Sequence, residues 1–274
     1  MPPAILSLSP LTVLDAAPPD QVTAAASAGF DALGIRVAPA ADERVWPMLG
    51  DTRVARETKS RLADTGISVL DIELVMLRPT LDPAPVLAVL DAGHSLGARY
   101  VLTLGYDKDE ARLTDQFAWL CAAAAERGLR PGLEFMKYSP VQTLSAAVRI
   151  VRAAGHPAGC VLVDALHLQR SGGTIADLAG VEPELLPYGQ LCDGPLDPVW
   201  PPDDQARIES RSGRLLPGDG EFPLADLIAA LPADGALSVE APVAALAGLS
   251  PVERAHRARA AVSRLLSSEL PYRR

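Results

Sequence analysis

Four oxygen-bearing side chains in the second half of the chain close, or lie within, short apolar runs. Glu134 closes Pro-Gly-Leu-Glu, Asp164 closes Val-Leu-Val-Asp, and Glu240 closes Leu-Ser-Val-Glu. Gln190 lies inside the run Tyr-Gly-Gln-Leu-Cys. Taken singly, such a residue is more often a helix cap or a solvated loop residue. Four of them in successive runs favour a shared function.

Three carboxylates in one cavity would repel one another and raise one another's pKa unless a cation neutralised them. A divalent metal ion resolves this conflict, and the amide carbonyl of Gln190 can add a fourth ligand. Because all four ligands donate oxygen, the set favours Mn²⁺ or Mg²⁺, with Co²⁺ and Zn²⁺ as alternatives. We therefore predict one divalent ion bound by Glu134, Asp164, Gln190 and Glu240.

Other polar residues near these runs are candidates for substrate contacts. His167 comes one turn after Asp164, and a structural histidine is its alternative interpretation. Arg214 opens the turn-rich segment Arg-Leu-Leu-Pro-Gly-Asp-Gly, which could fold over the site, although a surface cation is equally compatible with the sequence. Arg36 and Glu73 end two earlier apolar runs and are predicted to line the opposite wall.

The runs that carry these residues are part of a pattern that extends along the whole chain. They are almost continuously apolar, which is typical of strands covered by helices on both faces. The eight predicted strands are Ile5–Leu8, Ala32–Val37, Val69–Leu74, Tyr100–Leu104, Gly132–Met136, Cys160–Val163, Gly189–Cys192 and Leu237–Val239.

Helical segments separate the predicted strands, and glycine follows several of them, as expected at a helix end. The predicted helices are Pro19–Ala28, Ala55–Thr65, Pro83–Leu96, Glu110–Arg127, Pro140–Ala154, Ile175–Leu186, Leu224–Leu231 and Pro251–Leu266. This alternation predicts a single-domain (β/α)8 TIM barrel over residues 1–274. A doubly wound sheet is the alternative, but no glycine-rich phosphate turn follows the first strand. In a barrel, functional side chains lie where the strands end.

Composition restricts the partners. The chain has 274 residues, with 25 basic and 34 acidic side chains and a net charge of −9. Because its sequence contains no cluster of basic residues that could bind phosphates, we expect no nucleic-acid partner. No uninterrupted apolar stretch of 18 residues occurs, which predicts no membrane span. Three widely spaced cysteines indicate a reducing compartment, and we expect a cytoplasmic protein. A homo-oligomer is compatible with the sequence.

Several segments together resemble the sugar phosphate isomerase/epimerase superfamily, the xylose isomerase-like barrels. They are Leu-Glu-Phe, Val-Asp-Ala-Leu-His-Leu-Gln-Arg-Ser-Gly-Gly-Thr, Gln-Leu-Cys-Asp-Gly-Pro, Arg-Leu-Leu-Pro-Gly-Asp-Gly-Glu and Ser-Val-Glu-Ala-Pro, in the order of that family. The resemblance implies one divalent ion on Glu134, Asp164, Gln190 and Glu240, with His167 beside the substrate. It also implies that Glu134 and Glu240 double as acid and base.

The chain departs from the family's pattern at three positions. Gln190 stands where many sugar-specific members have histidine, and Cys192 replaces the lysine of a common His-x-Lys-Asp motif. Glutamine at that ligand position occurs in the related dehydroshikimate dehydratases, but those enzymes have a catalytic histidine where this chain has Met136. The multi-histidine set of the endonuclease IV branch is absent, which disfavours DNA repair.

The resemblance and the two glutamates predict an isomerase or epimerase acting on a small sugar or other polyhydroxylated keto compound. In this reaction one glutamate removes a proton next to the carbonyl, an enediolate forms, and the other glutamate returns a proton. A metal-dependent dehydratase of a keto-polyol or dehydroshikimate-like compound is the second expectation, because the same intermediate can expel water. A catalytically idle ligand-binding barrel is the third.

Overall fold

Eight parallel strands pair in chain order and close into a barrel, β1-β2-β3-β4-β5-β6-β7-β8. The computed structural model describes residues 5–40 and 46–268. The strands are β1 (Leu6–Leu8), β2 (Ala32–Arg36), β3 (Ser68–Leu77), β4 (Tyr100–Gly105), β5 (Arg130–Glu134), β6 (Cys160–Asp164), β7 (Tyr188–Leu191) and β8 (Ala236–Val239). Closure occurs where β1 pairs with β8, with Leu6 opposite Leu237 and Leu8 opposite Val239. The predicted (β/α)8 barrel is confirmed, and the doubly wound sheet is excluded.

Nine α-helices are present among the described residues. They are α1 (Pro18–Ala28), α2 (Arg53–Thr65), α3 (Pro83–Leu96), α4 (Glu110–Ala125), α5 (Leu144–Ala154), α6 (Ala165–Arg170), α7 (Asp203–Ser212), α8 (Leu224–Ala230) and α9 (Pro251–Ser268). The bounds of α3 equal the predicted ones because a capping aspartate marks its start and a glycine marks its end. The Asp82 carboxylate caps the first turn by accepting from the Ala84 amide at 3.1 Å, and Gly97 ends the helix at a φ of +70°.

Two predicted helices are wrong in part. The segment predicted as Pro140–Ala154 becomes helical only at Leu144, because the hydroxyl of Ser139 donates to the carbonyls of Met136 and Val141 and does not cap a helix. The segment Ile175–Leu186 forms two short 3-10 turns, Ile175–Gly180 and Pro183–Leu185. Pro183 interrupts it because the residue before a proline is disfavoured in the α conformation.

Thr143 is the actual N-cap of α5, and its hydroxyl accepts from the Ala146 amide at 3.2 Å. We expect Thr143→Ala to lower the free energy of unfolding by about 1 kcal/mol, since one amide of the first turn loses its partner. Thr143→Ser keeps the hydroxyl and should stay close to wild type. Urea denaturation of the three proteins measures the difference, and equal stability of all three would contradict this assignment of the cap.

The barrel is filled at the end where the strands begin. Tyr100 and Tyr188, the first residues of β4 and β7, stack with ring centroids 4.5 Å apart. Leu70, Leu102 and Leu162 belong to the same interior cluster. Within the part of the chain that the structure describes, side chains therefore fill the interior at that end, and the polar residues at the strand ends lie at the other.

The three cysteines, Cys121, Cys160 and Cys192, are free and buried. No helix within the described residues is long and apolar enough to cross a membrane.

Candidate active site and metal centre

The four predicted metal ligands lie where β5, β6, β7 and β8 end. Glu134 is the last residue of β5 and Asp164 the last of β6, Gln190 is the third of four residues in β7, and Glu240 directly follows β8. All four side chains are buried. In a closed parallel barrel these strand ends face one opening, which is why residues 106 positions apart in sequence meet there.

Asp164 also positions a histidine. Its carboxylate caps α6 by accepting from the amides of Leu166 at 2.8 Å and His167 at 3.1 Å. The first turn of this helix brings the His167 ring beside Glu134, with 4.0 Å between Nε2 and the carboxylate Oε1. Ligand atoms of Glu134, Asp164 and His167 all lie within 4.8 Å of one another, which is close enough to share a metal ion.

Gln190 and Glu240 form the other half of the group. The Gln190 side-chain Nε2 donates to Oε1 of Glu240 at 3.0 Å, and the Ser9 hydroxyl donates to the same oxygen at 2.7 Å. The remaining Gln190 oxygen, Oε1, is buried without a hydrogen-bond partner. A buried carbonyl oxygen without a donor is costly unless a cation or water binds it.

Arg214 joins these two halves. Its side chain is 2 % exposed, so it is not a surface cation. One terminal nitrogen lies 2.5 Å from Asp164 Oδ2 and the other 2.8 Å from Glu240 Oε2. The Arg214 Nε also donates to the Ser210 carbonyl of α7 at 2.9 Å. Arg214 therefore holds two predicted ligands and the helix above them in one arrangement.

Arg36 and Glu73 lie on the first half of the barrel. The Arg36 guanidinium donates twice to Glu73 Oε2, from Nε at 2.9 Å and from Nη2 at 2.6 Å. Arg36 lines the same cavity as Glu134, His167, Arg214 and Glu240, whose volume is about 270 Å³. Glu73, which was predicted to line the wall with Arg36, is not among the lining residues. It lies within β3, is fully buried, and its Oε1 has no hydrogen-bond partner.

Burial sets the protonation of these acids. It raises the pKa of Glu240 to about 7, against the opposing effect of Arg214, and raises that of Glu134 well above its usual range. Burial acts in the same direction on Asp164, but Arg214 and His167 outweigh it and lower the pKa of Asp164. Burial lowers the pKa of His167 to about 4, so the imidazole is neutral at pH 7. The group therefore combines an ionised carboxylate at Asp164, a protonated carboxyl at Glu134, a carboxyl at Glu240 that titrates near pH 7, and a neutral histidine.

The metal-free protein should become less stable as the pH rises from about 6.5 to 8. In this range the native state holds the proton of Glu134 and, up to about pH 7, part of the proton of Glu240, whereas the unfolded chain has released both, so the unfolded state is increasingly favoured. Urea denaturation with a chelator at several pH values measures the slope. Glu240→Gln should reduce it, because the amide does not titrate. A wild-type stability that is constant or rises over this range would contradict the assignment.

The residues present fit a divalent cation. The donor set contains the carboxylates of Glu134, Asp164 and Glu240, and the orphaned oxygen of Gln190 needs a positive partner. His167 offers an imidazole nitrogen that lies within 4.8 Å of ligand atoms of Glu134 and Asp164. The chain thus has a candidate divalent metal centre in which Gln190 and His167 are competing ligands.

Several residues that shape this site were not identified from the sequence. Ser9 directly follows β1 and gave no signal beyond its hydroxyl. Tyr138 donates or accepts a hydrogen bond with Ser210 at 2.8 Å and packs edge-on against His167. Ser210 and Arg207 lie on α7, a helix that the apolar periodicity did not predict because only Ala206 and Ser210 of it are buried.

Comparisons with known proteins agree with this architecture. A family model for the xylose isomerase-like TIM barrel matches residues 22–266. The 3-dehydroshikimate dehydratase of Pseudomonas putida is 28 % identical, and the match covers 79 % of this chain and 34 % of that protein. The chain thus spans about a third of the length of this curated relative.

Two solved structures show the same fold. The IolI protein with a binding zinc atom superposes with a TM-score of 0.82 at 18 % identity, over 97 % of this chain and 99 % of that one. The D-allulose 3-epimerase of Methylomonas sp. in complex with D-allulose gives 0.67 at 16 % identity, over 96 % and 98 %. With the family model matching most of its length, the chain belongs to the xylose isomerase-like TIM-barrel family.

Proposed function

We propose that this chain is a metal-dependent isomerase or epimerase of a small keto compound. It removes a proton from the carbon next to the carbonyl group and returns a proton to the opposite face or to the neighbouring carbon. One observation carries the proposal. Glu134 and Glu240, from strands three apart around the barrel, line the same cavity of about 270 Å³. A cavity of this size admits a single sugar or another six-membered ring, and it has carboxyls on two sides of the substrate.

The two glutamates are not equivalent, which suits a base and an acid. Arg214 stabilises the ionised form of Glu240 through the contact at 2.8 Å, so Glu240 is assigned as the group that removes the proton. No Lys or Arg among the described residues forms an ion pair with Glu134, and burial, which outweighs the more distant Arg214, favours its protonated form. It is therefore assigned as the group that returns a proton, to the opposite face for epimerisation or to the neighbouring carbon for isomerisation.

The remaining polar residues orient these groups. Ser9 and Gln190 fix one oxygen of Glu240, and Arg214 fixes the other. The neutral His167 ring can donate to or accept from a substrate hydroxyl. A divalent ion held by Glu134, Asp164, Gln190 and Glu240 would supply the positive charge that favours an enediolate. Its substrate is proposed to be a free small molecule, with neither nucleic acid nor membrane as a partner.

Dehydration is a second candidate, favoured by a specific observation. The P. putida relative at 28 % identity is named for the dehydration of 3-dehydroshikimate. The same proton removal starts that reaction, after which a β-hydroxyl leaves as water. Met136 occupies the position of the histidine expected in such enzymes, so another group would have to assist the leaving hydroxyl.

Incubation in D₂O with a divalent metal separates the candidates. We expect the protein to introduce deuterium next to the carbonyl of a compound in a panel of ketoses, keto-inositols, 3-keto sugars and cyclic keto acids. A deuterium-labelled product that has lost no water supports isomerisation or epimerisation. A product lighter by one water supports dehydration and overturns the first proposal. Retained metal with no exchange into any member favours the idle binding barrel.

A further inference from the structure

One wall of the cavity offers almost nothing to a hydroxyl group. Leu74 and Met76 of β3 and Leu102 and Leu104 of β4 line it, together with Met136 after β5. The polar groups Arg36, Glu134, His167, Arg214 and Glu240 line the rest of the cavity, and Glu134 borders the apolar wall beside Leu104. A hydroxyl facing the leucines and methionines would lose its hydrogen bonds to water without replacement, whereas an apolar surface would lose none.

Three arginines at the rim of this cavity have exposed side chains. Arg78, Arg207 and Arg211 all line it. No carboxylate among residues 5–40 and 46–268 lies within 4.0 Å of their guanidinium nitrogens. Inside the same cavity Arg36 and Arg214 are each paired with acids. In a chain with a net charge of −9, three cations around one opening, without an acidic partner among the described residues, form a local positive field.

Neighbouring residues position two of these arginines. The guanidinium of Arg78 lies 5.7 Å from the ring centroid of Tyr106, and that of Arg207 lies 5.0 Å from the centroid of Tyr138. Arg207 and Arg211 are four residues apart on α7 and therefore share one face of that helix.

Helix α7 is itself fixed over the opening. The Tyr138 hydroxyl is 2.8 Å from the Ser210 hydroxyl, and Arg214 donates to the Ser210 carbonyl at 2.9 Å. Lys137 forms an ion pair with Asp203 at the start of the helix. These contacts hold the helix, and with it the backbone of Arg207 and Arg211, at the rim of the cavity that Glu134 and Glu240 also line.

We propose that the substrate carries an anionic group, a carboxylate or a phosphate, which Arg78, Arg207 and Arg211 bind at the rim. Its body presents an apolar edge to Leu74, Leu102, Leu104 and Met136. Guanidinium groups bind both anions through paired hydrogen bonds. This inference rests on the proposed function, which places the reacting carbon between the two glutamates. It changes the expected substrate from a neutral polyhydroxylated sugar to an anionic keto compound with one apolar side.

Two matched pairs of probes test it with the metal-loaded protein. The pair 3-oxocyclohexane-1-carboxylate and cyclohexanone isolates the carboxylate, and D-fructose 6-phosphate and D-fructose isolate the phosphate. Calorimetry should show that the anionic member of at least one pair binds at least about 10-fold more tightly than its neutral partner. The pair that shows the preference identifies the anion, and the cyclic probe should bind more tightly than the sugar phosphate.

Variants locate the effect. Arg207→Gln and Arg211→Gln should each reduce the preference for the anion by several-fold. Arg149→Gln is the matched control, because Arg149 is exposed, pairs with Glu110 and does not line the cavity, and it should leave the preference unchanged. Equal binding of both members of both pairs, no binding of either anion at 10 mM, or a preference that survives in both rim variants would overturn the inference.

Deuterium exchange measured on the same samples in D₂O distinguishes failure of the anion site from failure of the proposed function. A preference for the anion without any exchange supports the rim site and counts against the reaction. Exchange into D-fructose without a preference supports the reaction and overturns the rim site.

Discussion

Replacing Arg214 by leucine should destabilise the metal-free protein by about 3–5 kcal/mol, because it leaves two buried carboxylates without their counter-charge. Arg214 lies 2.5 Å from Asp164 and 2.8 Å from Glu240, and all three side chains are buried. Urea denaturation at pH 8 with a chelator measures the loss. Arg214→Lys keeps a single charge but not the bridge, and we expect an intermediate stability.

Arg152→Leu is the control for this experiment. Arg152 pairs with Glu182 at 2.6 Å, but both side chains are about half exposed. Its removal should change the unfolding free energy by at most about 1 kcal/mol. A loss for Arg214→Leu no larger than that for Arg152→Leu would contradict a structural role of the buried bridge.

Glu240→Gln should lower turnover at least about 100-fold, the factor associated with the loss of a general base. The amide has the shape of the carboxylate and keeps an oxygen, so the barrel and the metal should be retained. The rate is measured as deuterium exchange with whichever panel compound exchanges in the wild-type protein. Glu57→Gln, on the exposed surface of α2, is the control and should match wild type.

An active Glu240→Gln protein would contradict the assignment of the base. His167 would then be the next candidate, since its ring lies beside Glu134 and is neutral at pH 7. Testing His167→Asn with the same compound would decide between the two.

The strands, and the polar residues at the strand ends that form the site, were predictable because both follow from short patterns of neighbouring residues in the sequence. A strand buried on both faces must be apolar, and a polar residue at its end is conspicuous for that reason. Glu134, Asp164 and Glu240 could be identified in this way. The strand β3 continues to Leu77, beyond the predicted Leu74, because Val75 and Leu77 are buried as well.

The roles of Arg214 and α7 could not be predicted in the same way. Arg214 contacts Asp164 across 50 positions in sequence, and only the closed barrel brings them together. Helix α7 is polar along most of its length because it covers the opening and not the core, so it lacks the apolar period that indicates a helix. Its arginines gave no motif.

The short helix α6 was missed for a different reason. It follows Asp164 directly, and its residues Ala165–Arg170 contain too few positions for an amphipathic period. This helix matters for the site, because Asp164 caps its first turn and the position of that turn determines where His167 points.

The metal centre is tested most directly by anomalous X-ray scattering from crystals of protein prepared without chelator and supplied with Mn²⁺. We expect one peak per chain, coordinated by Glu134, Asp164, Glu240 and the orphaned oxygen of Gln190, with His167 outside the coordination sphere and facing the substrate. The absence of a peak, or a peak held by other residues without Gln190 and Glu240, would contradict the proposed centre and the proton transfer built on it.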